Sequence, residues 1–147
     1  NVNVDKLLEE ILSIIKIPKH ISFIKKVPLP IIKGDKYRLQ QLFQNLVTNA
    51  INYNDKAKGV IEIGFEDQND FWQFYIKDNG KGIDNNYFEK IFKTFQKLEN
   101  NPESTGIGLS IVKKIVDVFG GKIWLESTVG TGTTFYFTLK KEHHGTT

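Results

Sequence analysis

The stretch "QLFQNLVTNAINYN", residues 41–54, decides the reading of this chain. It sets four asparagines and two glutamines among apolar residues. At 100° per residue, Gln41, Asn45, Asn49 and Asn52 fall within an arc of about 80° on a helix. Leu39, Leu42, Phe43, Leu46, Val47 and Ala50 take the opposite side. The amides therefore form a stripe of their own and do not interrupt the core face. A solvated face normally carries lysine and glutamate, which are better helix formers than asparagine. Amide oxygens and N–H donors suit a site that holds phosphates with a hard cation such as Mg²⁺. A plain polar face is the alternative reading of the pattern alone.

The bulk numbers exclude several classes. A chain of 147 residues, 39% hydrophobic and 25% charged, suits one soluble globular domain. It has no cysteine, so neither disulfides nor thiolate metal sites are possible. Its three histidines, His20, His143 and His144, are too few and scattered for a zinc site. No apolar run reaches membrane-spanning length. The net charge of +3 comes from 20 basic and 17 acidic side chains, with no basic run of five or more, so no nucleic-acid partner is expected.

Around the amide helix, the pattern predicts a first helix over 5–15 capped by Asp5, and a strand in "HISFIKKV". It reads "PLPIIKGD" as a turn region and Asp35 as the cap of a helix over about 36–53. A hairpin follows, "VIEIGFE" and "FWQFYIKD" around the turn "DQND". Residues 79–105 read as mostly loop, with a short helix around "NYFEKIF". A helix over 107–119 ends at Gly120 and Gly121, and two strands, "KIWLEST" and "TTFYFTL", close the core around "VGTG". The expected fold is an α/β sandwich, a mixed sheet covered on one side by helices.

Two further segments carry chemistry. In "FWQFYIKDNGKGID", Trp72, Phe74 and Ile76 share one strand face and Asp78 continues their parity. A carboxylate on the buried side needs donors from protein or ligand. Gly80 and Gly82 allow a tight turn and close approach of a flat ligand, and an ordinary Asp-Asn-Gly turn would look the same. A base with an exocyclic amine would suit the carboxylate. In "STGIGLSIVKKIVDVFGG", Gly106 and Gly108 precede a helical run, where free N–H groups favour phosphate or a plain cap forms. Neither a Walker sequence nor a complete GxGxxG is present. "GTGTTFYF" adds Gly130 and Gly132 at a hairpin turn.

In this order the segments resemble the ATP-binding catalytic domain of sensor histidine kinases, within the superfamily of gyrase-type and Hsp90-type ATPases. "RLQQLFQNLVTNAINY" is similar to that family's N box, "DNGKGI" to its G1 box and "YFEKIFKTFQKL" to its F box. "TGIGLSIVKKI" is similar to its G2 box and "GTGTTFYFTL" to its last glycine-containing segment. The resemblance implies a mostly antiparallel mixed sheet of the Bergerat type, with ATP and Mg²⁺ as cofactors. It implies that Asn45 ligates Mg²⁺, that Asn49 supports the phosphates, and that Asn45 and Asn49 are the catalytic pair. Tyr53 would sit beside the adenine or sugar, and Asp78 would accept from the adenine amine. Gly80, Gly82 and Ile83 would shape the pocket. Thr105, Gly106, Gly108 and Leu109 would flank the triphosphate, and Thr133 would lie near the base or a bridging water. A lid from Thr94 to Thr105 would be loose without ATP, with Phe92 and Phe95 anchoring it, helping to orient the partner domain, or serving as core aromatics. Asn52, counted with the nucleotide-binding residues, stands where the family often has a basic residue in "NAxKY". Lys56, Lys93 or Lys97 are the candidate replacements.

Related hydrolysing ATPases place a glutamate one turn before the Mg²⁺-ligating asparagine, where this chain has Gln41. An amide cannot act as a general base. The resemblance therefore implies slow hydrolysis and transfer of the γ-phosphoryl group to a histidine on a partner dimerisation domain. None of the three histidines has the setting of a phosphoacceptor. Residues 1–15 would join an upstream dimerisation and histidine-phosphotransfer domain, 16–141 would form the ATP-binding domain, and 142–147 a frayed tail. The isolated domain is expected to be monomeric and cytoplasmic. A response regulator receiver domain would act downstream, and the full-length protein could be membrane-anchored. The alternative is a nucleotide-binding regulatory module with a degenerate, non-transferring site.

Overall fold

The computed structural model describes residues 1–88, 90–92 and 106–141. The expected lid over 94–105, with Phe95 and Thr105, lies outside them, as do Lys93, Lys97 and the tail 142–147. In chain order the elements begin with strand β1 (Val2–Asn3), helix α1 (Val4–Ile14), β2 (Ile21–Lys25) and β3 (Ile31–Ile32). Helix α2 (Lys36–Asn52) leads to β4 (Gly59–Gln68) and β5 (Phe71–Asp78). One 3-10 turn, Asn85–Tyr87, precedes α3 (Gly106–Val118), β6 (Ile123–Thr128) and β7 (Gly132–Lys140).

The main sheet runs β2-β4-β5-β7-β6. Only β2 and β4 pair in parallel, and the other three pairings are antiparallel. This is the mixed, mostly antiparallel sheet expected, with helices on one face. The fit is made by aromatics. Phe43 of α2 meets Phe74 of β5 and Phe137 of β7 edge-on, at 5.3 and 5.5 Å between ring centroids. Phe74 and Phe137 stack at 5.3 Å. All three are essentially fully buried. Edge-to-face and offset-stacked rings are the favoured arrangements of the aromatic quadrupole, so the helix is keyed to the sheet at one point.

The apolar side of α2 is buried as its periodicity predicts: Leu39, Leu42, Phe43, Leu46, Val47 and Ala50 all lie in the core. Asp35 caps it, accepting from Tyr37 N–H at 2.9 Å. The cap of α1 differs from the expectation. Asn3 accepts from Lys6 N–H at 3.2 Å, and Asp5 lies in the first turn. Asp5 is drawn instead to the β2–β3 segment, where its carboxylate accepts from Leu29 N–H at 3.0 Å and from the Lys25 ammonium at 2.8 Å. Val4, Leu7, Leu8 and Ile11 place α1 in the same apolar cluster as α2.

Two more expectations are corrected. The turn region "PLPIIKGD" contains β3, because β1 offers it an antiparallel partner, Val2 opposite Ile32. The hairpin turn between β4 and β5 is tighter than "DQND", with Gln68 paired to Phe71 and Asn69 at φ +61°. Asparagine tolerates that left-handed conformation better than most residues.

Candidate functional site

The site is built where β5 leaves the sheet. Asp78 is the last residue of β5, opposite Ile61 of β4 and Thr133 of β7. Parity carries its side chain to the helix-covered face, where it is only 6% exposed. Its Oδ1 accepts from Gly80 N–H at 2.8 Å. Burial pushes the carboxyl up to about 6, against the Gly80 and Thr133 backbone N–H groups, which favour the charged form; the charge of Asp55 adds to the upward push. A group so poised changes charge close to neutral pH and has few water partners.

The loop after Asp78 is held from three sides. Tyr53 caps the C-terminus of α2, and its carbonyl accepts from Lys81 N–H at 3.2 Å. A Cβ on Gly80 would lie 2.5 Å from that carbonyl and 2.9 Å from Asp78 Oδ1. Gly82 has φ +78°, and a Cβ there would lie 2.2 Å from the Thr128 carbonyl. Contact thus requires both glycines, and the left-handed conformation requires Gly82 as well. On the third side, Ile83 N–H donates to Ser127 Oγ at 2.7 Å, and Gly130 N–H to the Lys81 carbonyl at 2.7 Å.

Asn79 fastens the loop's start. Its Oδ1 accepts from Asn54 Nδ2 at 2.9 Å and from Val60 N–H at 2.8 Å, and its Nδ2 donates to the Lys58 carbonyl at 3.0 Å. Neither Asn54 nor Asn79 stood out in the sequence reading. Their roles depend on the chain returning to β4, which no local pattern announces. Ser127 was missed for the same reason: its partners lie in the loop and on β7.

Tyr53, Gly82 and Ile83 line a cavity of about 290 Å³ with Lys81, Asp84, Tyr87 and Val129, and Asp78 and Gly80 lie outside that lining. Lys81 places its ammonium 4.9 Å from the centre of the Tyr53 ring. That is within cation–π range. Lys81 was not among the lysines considered from sequence. Lys56, which was, is turned to the hairpin: it donates to the Gly130 carbonyl at 2.7 Å.

Of the amide stripe, Gln41, Asn45, Asn49 and Asn52 are all half-buried, neither in the core nor on an open surface. Leu109 is buried, and Thr133 is 5% exposed beside Asp78. Gly106 and Gly108 lie within the first turn of α3 and not ahead of it. The first backbone N–H groups of the helix therefore belong to the glycine segment itself. Phe92 packs edge-on against Phe135 at 6.1 Å, as a core aromatic. Among the described residues, no helix is long and apolar enough to cross a membrane.

The chain is similar to known proteins in sequence and in fold. The chain is 48% identical over 116 residues to cyanobacterial phytochrome B of Nostoc sp., which covers 76% of this chain and 15% of that protein. It is 40% identical over 111 residues to the methanogenesis regulatory histidine kinase FilI of Methanothrix harundinacea, covering 75% of this chain and 12% of that one. The chain thus spans a small part of these relatives. Among solved structures, the nucleotide-free catalytic domain of histidine kinase ThkA superposes with a TM-score of 0.80 at 33% identity, over 95% of this chain and 93% of that one. Residues 34–143 match the family described as histidine kinase-, DNA gyrase B- and HSP90-like ATPase, and the chain belongs to that family as a catalytic, ATP-binding domain of the histidine-kinase type.

Proposed function

We propose that this chain binds ATP with Mg²⁺ and donates the γ-phosphoryl group to a histidine on a dimerisation domain of the same protein. The observation that carries the reading is the buried Asp78 carboxylate, held by Gly80 beside a loop with no room for side chains at Gly80 and Gly82. A buried acceptor at the end of a tightly held loop suits a flat base with an exocyclic amine. Tyr53 and Ile83 would flank that base. Asn45 would ligate Mg²⁺ and Asn49 would support the phosphates from the next turn of α2. Gly106, Gly108 and Leu109, with Thr105, would approach the triphosphate, and Thr133 the base. Mg²⁺, when bound, would neutralise phosphate charge.

The chain's own residues position and desolvate; Gln41 has no basic oxygen with which to activate water. Residues 1–15 would lead in from the upstream dimerisation and phosphotransfer domain, and a receiver domain would take the phosphoryl group onward. The domain would face the cytoplasm, where ATP is. The test is calorimetry of ATP and ADP with and without Mg²⁺, on the unaltered chain and Asn45→Ala. It is followed by transfer from γ-labelled ATP to the phosphotransfer domain supplied in trans. Micromolar to millimolar ATP binding that loses its Mg²⁺ dependence in the variant, with label on the added domain and none on this chain, supports the reading. Binding without any transfer would overturn the kinase step in favour of a regulatory module.

A further inference from the structure

Three contacts meet at Ser127 Oγ. Ile83 N–H donates to it at 2.7 Å, the Gly132 carbonyl lies at 3.0 Å and can only accept, and the Thr133 hydroxyl lies at 2.7 Å. Ser127 has one proton to give. Given to the Gly132 carbonyl, it leaves Ser127 to accept from Thr133, and all three contacts are hydrogen bonds. Given to Thr133, it leaves the Gly132 carbonyl without that donor. The first arrangement is favoured, and in it the Thr133 proton points to Ser127.

Thr133 is also the cross-strand partner of Asp78, and both side chains are buried on the same face. Directly opposed residues have Cβ atoms about 4.5–5.5 Å apart, within reach of a hydroxyl and a carboxylate. A Thr133 proton released from Ser127 would turn to that carboxylate, since charged acceptors make the stronger hydrogen bonds. It would then compete with any ligand N–H for the same lone pairs.

We propose that Ser127 is a positioning residue of the nucleotide site: it draws the Thr133 hydroxyl proton away from Asp78 and so keeps the carboxylate open to an amine on the ligand. The proposal rests on the reading of Asp78 as the acceptor for the base. Among the described residues, few groups act on Asp78. Ile61 and Thr133, its neighbours across the sheet, are uncharged, and Asp55, from the segment before β4, is the charged side chain that acts on it. The Gly80 and Thr133 backbone N–H groups are the same in the variants below.

The Asp78 carboxyl is titrated by carbon-13 NMR in the nucleotide-free chain, for the unaltered protein and for Ser127→Ala, Thr133→Val and both together. A new hydroxyl donor favours the charged form, so Ser127→Ala should lower the midpoint, by about one unit. Adding Thr133→Val should abolish the shift. Ser127→Thr, which keeps a hydroxyl, should restore the original midpoint. Ser127→Cys, close in size but a weak partner, reads the same shift if the alanine variant folds poorly. ATP affinity at pH 7 should fall about tenfold in Ser127→Ala, one hydrogen bond's worth. An unmoved or raised midpoint, or a shift that survives Thr133→Val, overturns the proposal. If the unaltered chain binds no ATP, the nucleotide reading fails, and the titration alone decides the Ser127–Thr133–Asp78 relation.

Discussion

Gly80 donates its backbone N–H to the Asp78 carboxylate at 2.8 Å, and a side chain on Gly80 would strike Tyr53's carbonyl at 2.5 Å. The end of β5, the first residues of the loop and the end of α2 are therefore one rigid unit. The carboxylate is fixed by backbone alone, which leaves its remaining lone pairs to a partner. Burying a carboxylate with backbone donors alone is costly.

Asp78→Asn should separate stability from binding. The folded carboxyl titrates at about 6, above its ordinary value of 3.8. The native state thus holds more protons than the unfolded chain between those values, and stability falls as pH rises through that window. Asparagine removes this loss. At pH 7 the variant should be more stable by about 1–3 kcal/mol in urea unfolding, while near pH 3 the gain vanishes. Its ATP affinity should drop at least about tenfold, the loss of one charge-assisted hydrogen bond.

ATP affinity should depend on pH in the same direction as ionisation of Asp78. A protonated carboxyl offers the amine a poorer acceptor. With a midpoint of about 6, the ionised fraction falls about tenfold between pH 7 and pH 5, and affinity should follow. Calorimetry at intervals across that range checks it. A flat profile would mean that Asp78 does not meet the base as a carboxylate.

Gly82→Ala places a Cβ 2.2 Å from the Thr128 carbonyl at φ +78°. Both the clash and the left-handed backbone oppose it. The domain should lose about 1–3 kcal/mol, or the loop should pull away from β6 and weaken nucleotide binding. Urea unfolding, read beside the ATP isotherm, distinguishes the two responses.

Phe43→Ala removes the ring that meets Phe74 and Phe137 edge-on. A cavity at that point separates α2 from the sheet, and the expected loss is about 3–5 kcal/mol. The midpoint of chemical unfolding should fall accordingly. A change under about 1 kcal/mol would show that the core closes over the gap.

Much of the fold was legible in the chain because its signals are local. The 3.6-residue period of Leu39 to Ala50 and the alternation of Trp72 to Asp78 each state which face is buried. The amide stripe and the Asp78–Gly80–Gly82 segment stood out in the residues themselves, whereas the roles of Asn45, Asn49 and Tyr53 came from the family resemblance. In the structure Gly80 meets both Asp78 and Tyr53, and Tyr53 and Gly82 line one cavity. What escaped was long-range. The cap of α1 was assigned to Asp5 because aspartate is a good cap, yet Lys25 and Leu29 compete for its carboxylate from the next segment. Strand β3 is two residues long and exists only because β1 pairs with it.

By itself the sequence determined the periodic elements, the amide stripe and the placement of glycines around one aspartate. These are properties of a few consecutive residues, fixed by side-chain direction and backbone freedom. The tertiary structure alone decided that Thr133 lies opposite Asp78, that Ser127 joins Ile83 to β7, and that Asn79 reaches back to Asn54 and Val60. Those relations depend on strand order and register. A shift of one residue in a strand would turn every such side chain to the other face, so they are set only when the whole sheet has packed.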